Sequence, residues 1–459
     1  MLWIFSPYRK FRSWRSIWLA LAEAQHELGL PIDAAQLAAL REAIDDIDFD
    51  AAAEHEQRMR HDVMAHVHAF GDVAPAARGI LHLGATSQDI VCNADILLQH
   101  DALSLIATKL ARVVDRLGTF ASSWRDLPTL GWTHYQPAQP TTVGKRATLW
   151  AQDFAECLNE VELRRDNLRL RGFRGATGTQ ASFLGLFDKD HASVEALERA
   201  TAEKLGWDPE KMWSVCGQTY PRLADAQLLA SLATTGAAIH KCCNDLRLLA
   251  NLREVEEPFG KDQVGSSAMA YKRNPMRCER ATGLARFVMS LAQNGLDTAA
   301  TQWMERTLDD SANRRLSIPE SFLALDGALD IMANVTDGLI VHPGVIERRL
   351  AEELPFIATE DIMMAAVRGG ADRQDIHELI REASLEASRE MKTNGTPNDL
   401  LDRLRVLPAF SEIDLNALLD PARYIGRAPE QVESFLKIVI SPIRARYAEE
   451  LTIDPDLRV

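Results

Sequence analysis

Apolar residues recur along most of this chain at steps of three and four, the spacing that lays one stripe along a helix. Leu228, Leu232, Ile239, Cys242, Leu246 and Leu249 form such a stripe, and a stripe that long needs partner helices. Comparable stretches occupy residues 95–123, 142–170, 274–300 and 316–339, each longer than the roughly 10–14 residues of an average globular helix. Sustained alternation of apolar and polar residues, the mark of a half-buried strand, is hard to find. The pattern predicts an all-α fold in which five rods make an extended bundle. One subunit leaves much of such a bundle's apolar surface uncovered, so association with further copies is expected.

Turn-forming clusters separate the rods: GWTHYQPAQPTT before the second, FRGATGTQASF after it and EEPFGKDQVGSSAMAYKRNP before the fourth. These loops hold most of the polar residues that the helical pattern does not explain. A smaller N-terminal helical domain, residues 1–86, ends near the GATSQD turn. The long-helix domain follows over 87–341, and His342-Pro343 opens a C-terminal helical domain at 342–459. No repeat at solenoid spacing and no low-complexity tract is visible.

With 46% hydrophobic and 25% charged residues, the composition suits a soluble globular chain. Acidic residues outnumber basic ones 66 to 51, for a net charge of -15, so no general basic field draws in nucleic acid or an anionic membrane. An anionic ligand would need local cations. No uninterrupted apolar stretch approaches the roughly 20 residues of a membrane span, and MLWIFSPYRKFRSWRSIW lacks the apolar core and cleavage site of a secretory leader. Cys92, Cys157, Cys216, Cys242, Cys243 and Cys278 form no CxxC pair; reduced core thiols in a cytoplasmic protein are expected.

The most unusual segment is Gly265-Ser266-Ser267-Ala268-Met269-Ala270-Tyr271-Lys272-Arg273-Asn274-Pro275. Its opening is flexible and rich in donors, and it passes through two cations into a helix start marked by Asn274 and Pro275. Cations beside a helix N-terminus suit a carboxylate. RHDVMAHVH carries His61, His66 and His68, but this spacing does not place two imidazoles on one face as i, i+4 would, so no metal site is expected.

GSSAMAYKRNP resembles the signature loop of the fumarase/aspartase superfamily, and its Tyr-Lys-Arg form resembles that of the adenylosuccinate lyases. RHDVMAHVH, LGATS, THYQPAQPTTVGKR, TGTQASF, GQTY and ERTLDDSANRR resemble that family in order and spacing, over almost the whole chain. GQTY and ERTLDDSANRR are the discriminating blocks. The resemblance implies a homotetramer, free of metal and redox cofactors, that eliminates fumarate from succinylated purine nucleotides: adenylosuccinate, and the succinylcarboxamide ribotide of the earlier purine step. It implies that Ser266 is the general base, a choice over Ser267 that the residues alone do not make. His134 becomes the general acid, oriented by Glu279. Lys272, and Asn274 through its amide, stabilise the doubly charged carboxylate intermediate. Arg60, His61 and Asp62 are implied to contact phosphate and ribose, Thr86 and Ser87 a carboxylate, and Gln218 the succinyl end. Arg280, Arg306, Ser311 and Arg315 would supply the forks and hydroxyl that a multiply anionic ligand needs. Three subunits would contribute to each site.

The sequence departs from the family's pattern in places. Such chains carry an Arg-Tyr pair ahead of a Pro-Glu-Met; Met1 aligns with that methionine, and a weaker phosphate grip is expected. Ala270 stands where proline is usual, so the loop loses a fixed φ. Gln88-Asp89-Ile90 resembles the carboxymuconate cycloisomerase branch, and Cys92 stands where an acid is common. Such a cycloisomerase, or a non-catalytic structural relative, is the alternative; loss of the acid or the loop serine would mark the second, and both are present.

Overall fold

A computed structural model describes residues 1–452 and is 69% helical against 4% strand, in agreement with the all-α expectation. The chain divides into two compact units, one of Met1–Leu110, Glu156–His240 and Ala281–Asp330, the other of Ala111–Ala155, Lys241–Arg280 and Ile331–Val459.

In the first unit, helix α1 (Pro7–Glu27) starts at Ser6, whose side chain accepts the Arg9 N–H, with Pro7 at the first helical position. Both are favourable helix starts, because the first turn's N–H groups have no partner within the helix. Trp14, Ile17, Trp18 and Leu21 recur at helical spacing and are buried. They join Phe70, Phe173 and Phe183 in one apolar core, where each such side chain contributes about 1.5–3 kcal/mol of burial. Helix α2 (Phe49–Met59) ends at Arg60, which takes the left-handed conformation. Helix α3 (Asp62–Val73) begins immediately after, capped by His61.

The five predicted rods are α4 (Ser87–Ser123), α5 (Val143–Asp166), α6 (Leu223–Asn251), α7 (Met276–Ala300) and α8 (Asp309–Asp337). The division between units falls inside each of them. Two start well before their apolar pattern does. Helix α4 begins at Ser87 because the Asp89 carboxylate accepts the Thr86 N–H at 2.7 Å, and α8 begins with Asp309 and Asp310 in its first turn. Acidic residues satisfy or complement a helix N-terminus, which apolar spacing does not register. By length and composition alone α4 could cross a membrane, contrary to the sequence expectation. Its Ile90, Ile106, Leu110, Val113, Val114 and Leu117 are nevertheless fully buried, as in a core helix.

In the second unit the segment expected as an irregular turn is a β-hairpin, β1 (Pro128–Thr133) with β2 (Gln136–Thr142). Its prolines obscured the alternation. Thr133 pairs with Gln136, leaving His134 and Tyr135 as the two-residue turn, with φ of 52° and 56°; positive φ at both positions is what a hairpin with right-handed twist demands. Gly131 is obligatory, since a Cβ there would lie 2.3 Å from the Gln139 carbonyl oxygen. A second short pairing, β3 (Val255–Glu256) with β4 (Ile340–Val341), anchors the approach to the Gly-Ser-Ser loop. A separate core of Leu354, Ile362, Ile376, Leu400, Leu404 and Phe410 consolidates the C-terminal helices.

Candidate active site

The candidate residues form two groups. In the first unit, a node of buried charge fixes three loops. Asp89 and Arg171 are fully buried and paired. Asp89 also accepts the N–H groups of Thr86 (2.7 Å), Arg174 (2.8 Å) and Gly175 (3.2 Å). Arg171 donates to the carbonyls of Gly175 and Gly217, each at 2.9 Å. Burial pushes the Asp89 carboxyl up from its ordinary pKa, against the pull of Arg171 and of these amides. Gln218 is thereby held in reach of two neighbours, its amide donating to Thr86 Oγ1 at 2.8 Å while its oxygen accepts the Thr177 N–H at 2.7 Å. Thr86 and Gln218, expected to serve one ligand, are joined directly. Thr177 was not singled out from the sequence; its loop was, but a backbone donor leaves no residue-type signal.

Next to this lies a cavity of about 510 Å³, within the roughly 300–1,000 Å³ range of small-molecule sites. His61, Asp62, Ser87, Arg306, Ser311 and Arg315 line it, with Lys10, Arg222 and Arg314. His61 Nδ1 accepts the Met64 N–H at 3.2 Å, so the neutral ring carries its proton on Nε2 and presents it to Ser87 Oγ at 3.3 Å. Arg315 pairs with Asp62 at 2.8 Å. Burial opposes the charged Asp62, but the Val63 N–H and the Arg315 guanidinium outweigh it and hold the carboxyl below its usual value.

Beneath the cavity wall, Arg314 pairs with Asp225 at 2.6 Å and Asp95 at 3.1 Å and donates to the Tyr220 hydroxyl, which itself donates to Asp225 at 2.6 Å. Arg222 pairs with Asp310 at 2.7 Å, which supplies the counter-charge that Cys92, 4.0 Å away, does not. Arg306 approaches Asp310 at 3.8 Å. Arg60 is exposed beside this group, its left-handed φ of 55° set by the sharp break between α2 and α3. The other two histidines of RHDVMAHVH go elsewhere. His66 is buried, stacked on Phe11 at 3.6 Å, and burial lowers its pKa to about 4; His68 lies beside His55, ring centres 5.3 Å apart.

The second unit carries the proton-transfer candidates. His134 sits exposed at the hairpin tip in the left-handed region, a conformation costly for a non-glycine residue and common where a side chain must be presented. In the Gly-Ser-Ser loop, Ser266 Oγ accepts the N–H groups of Ala268 at 3.3 Å and Met269 at 3.2 Å. Ser267 has no such arrangement among the described residues, so the geometry separates two serines that composition could not. Gly265 has no substitute: a Cβ would lie 2.1 Å from the Lys272 carbonyl oxygen. Asn274 Nδ2 donates to the Gly265 carbonyl at 2.8 Å, closing the loop. One of its two amide hydrogens is therefore spent on the loop.

Of the two bases expected to hold a carboxylate, Arg273 turns back to Glu256 at 3.4 Å and lies over the Phe259 ring at 5.0 Å. Lys272 is exposed and its ammonium has no partner among the described residues. The α7 N-terminus is also less available than the sequence implied, because Glu257 accepts the N–H groups of Arg277 and Cys278, each at 3.0 Å. Glu279 and Arg280 follow on the first turn of α7, both exposed.

Known proteins resemble this chain along most of its length. A lyase family model matches residues 7–290, and one for the adenylosuccinate lyase C-terminus matches residues 355–435. The chain is 51% identical to adenylosuccinate lyase of Saccharomyces cerevisiae over 94% of its length and 90% of the yeast protein. It is 48% identical to that of Schizosaccharomyces pombe, over 98% and 94%. Among solved structures, a fumarate lyase from Mesorhizobium sp. BNC1 superposes with a TM-score of 0.80 at 26% identity, covering 95% of this chain and 96% of that one. A 3-carboxy-cis,cis-muconate lactonizing enzyme from Pseudomonas putida gives 0.81 at 24% identity, over 97% and 96%, and shares the fold. The chain belongs to the adenylosuccinate lyase family.

Proposed function

We propose that the protein eliminates fumarate from adenylosuccinate, giving AMP, and from the succinylaminoimidazolecarboxamide ribotide, with Ser266 as base and His134 as acid. The observation that carries this reading is the pair of amides converging on Ser266 Oγ. Serine is a poor base until its anion is supported, and hydrogen bonds to the charged form favour that form. The Ser266 alkoxide removes the proton from the carbon beside the succinyl carboxylate, and the electron pair passes into that carboxylate. Lys272 offsets the doubled charge there. The C–N bond then breaks as His134 delivers a proton to the departing nitrogen, leaving a neutral amine and fumarate. Glu279 orients His134. Thr86, Ser87 and Gln218 hold the succinyl end; Arg60, His61, Asp62, Arg306, Ser311 and Arg315 hold the nucleotide, with Asn274 and Arg280 at the loop.

These residues meet across neighbouring subunits of a cytoplasmic homotetramer. Exposed apolar side chains on the rods, Leu149, Leu163, Leu248, Phe287, Met289 and Leu296, support the association, since exposed apolar helix faces mark interfaces. The six cysteines are buried and none is in a disulfide, in keeping with a reducing compartment. Ultraviolet detection of fumarate release tests the reading: Ser266→Ala lowers turnover by about 100-fold or more, the scale of a lost proton transfer, and an unchanged rate moves the base elsewhere.

A further inference from the structure

Lys10 lies on α1, outside every motif that marks the family, yet it lines the 510 Å³ cavity. The neighbouring cations are matched: Arg222 by Asp310, Arg314 by Asp225 and Asp95, Arg315 by Asp62. Lys10 is different. Among the described residues its ammonium makes no hydrogen bond or ion pair, and its nearest defined company is the rings of Phe11 and Trp14, each centred 5.1 Å away. Those faces position a cation without neutralising it. Burial, and then the charge of Arg315, hold its pKa below the usual lysine value. Asp95, Asp62 and Glu56 attract it from beyond ion-pair distance, and a half-buried cation on a cavity wall with no contacting carboxylate among the described residues is stabilised by an anion that completes it.

The geometry points to Lys10 as a ligand for the phosphate monoester of the nucleotide, in the cavity it lines together with the α8 residues Ser311 and Arg315. This assignment rests on the nucleotide reading above and deepens it. Phosphate suits the position better than a succinyl carboxylate, because Arg306, Ser311 and Arg315, assigned to the nucleotide, line this cavity with Lys10, whereas of the three residues assigned to the succinyl end Ser87 lines it and the hydrogen-bonded Thr86 and Gln218 do not. The dianion would face Lys10, Arg306 and Arg315 together with the Ser311 hydroxyl, giving Lys10 the ion pair it does not make among the described residues.

The test is calorimetric binding of AMP, adenosine and fumarate to the full-length protein, its Lys10→Met variant, which keeps the apolar stem over Phe11 and Trp14, and its Lys10→Arg variant. Losing one charge-assisted contact weakens AMP by about 10- to 100-fold, leaves adenosine and fumarate within about two-fold, and is largely reversed by arginine. Equal loss for AMP and adenosine, or an AMP affinity unchanged in a Lys10→Met protein with parental thermal unfolding, overturns the assignment. Weakened fumarate with unchanged AMP overturns it too, placing Lys10 at the carboxylate end. A parent that binds no AMP and releases no fumarate removes the functional reading itself, a different failure from a parent that binds AMP indifferently to Lys10.

Discussion

Replacing Arg171 with methionine tests whether the buried Asp89–Arg171 pair is what holds the loops of Thr86, Thr177 and Gln218 in register. Both side chains are fully buried, so the variant leaves a carboxylate in the interior with backbone amides as its remaining partners. Breaking a buried pair on one side costs about 3–5 kcal/mol. The carbonyls of Gly175 and Gly217 lose their donor as well, and these flank the Thr177 and Gln218 groups that meet at 2.7 Å. Urea unfolding by circular dichroism, at equal protein concentration because association contributes to stability, reads the first effect. Substrate titration reads the second: KM rises about 10-fold, the worth of one displaced hydrogen bond to a charged group. Adding Asp89→Asn to Arg171→Met removes the stranded charge and recovers part of the lost stability, a coupling that distant, independent sites do not show. If Arg171→Met unfolds within about 1 kcal/mol of the parent, or the two substitutions simply add, the pair is not the clamp described.

Acid sensitivity follows from His66 and His82, whose pKa values burial lowers to about 4. The unfolded chain takes up these protons near pH 6.5, so stability falls as pH drops from about 6.5 to 4, by up to about 3 kcal/mol for each histidine. Melting curves across that window should flatten in His66→Phe, which keeps an aromatic ring against Phe11; an unchanged slope contradicts this. Gly265→Ala drives the loop backbone off the Lys272 carbonyl and should lower turnover by about 10-fold or more while global melting moves little, as befits an exposed loop. Parental turnover would mean that the loop tolerates the displacement.

The rods were legible because their stripes are long and regular, and GSSAMAYKRNP pointed to its loop because glycine, hydroxyls and cations cluster there, while LGATS and GQTY stood out only through their resemblance to the family. Helix starts were less legible. Asp89 begins α4 through its side chain rather than through apolar spacing, and the same residue, which suggested a different branch of the superfamily, proves to be the partner of Arg171. The hairpin carrying His134 was hidden by Pro137 and Pro140, and its turn lacks the glycine that usually signals positive φ. Lys10 gave no sign because an unmatched charge is a property of its surroundings; along the chain it is one base among several between Tyr8 and Arg15. The two amides on Ser266 Oγ, which favour it over Ser267 as the proposed base, were likewise beyond the reach of the sequence.

The central claim is that the base on one subunit and the acid on another flank the same C–N bond, and mixing two inactive proteins tests it most directly. His134→Ala and Ser266→Ala chains, each deficient alone, are dissociated, combined in equal amounts and reassociated, and fumarate release is measured. Random assortment in a tetramer with shared sites restores about a quarter of the parental sites, so activity should rise toward that level. A reassociated mixture of mixed tetramers no more active than either parent variant would contradict a site shared in this way.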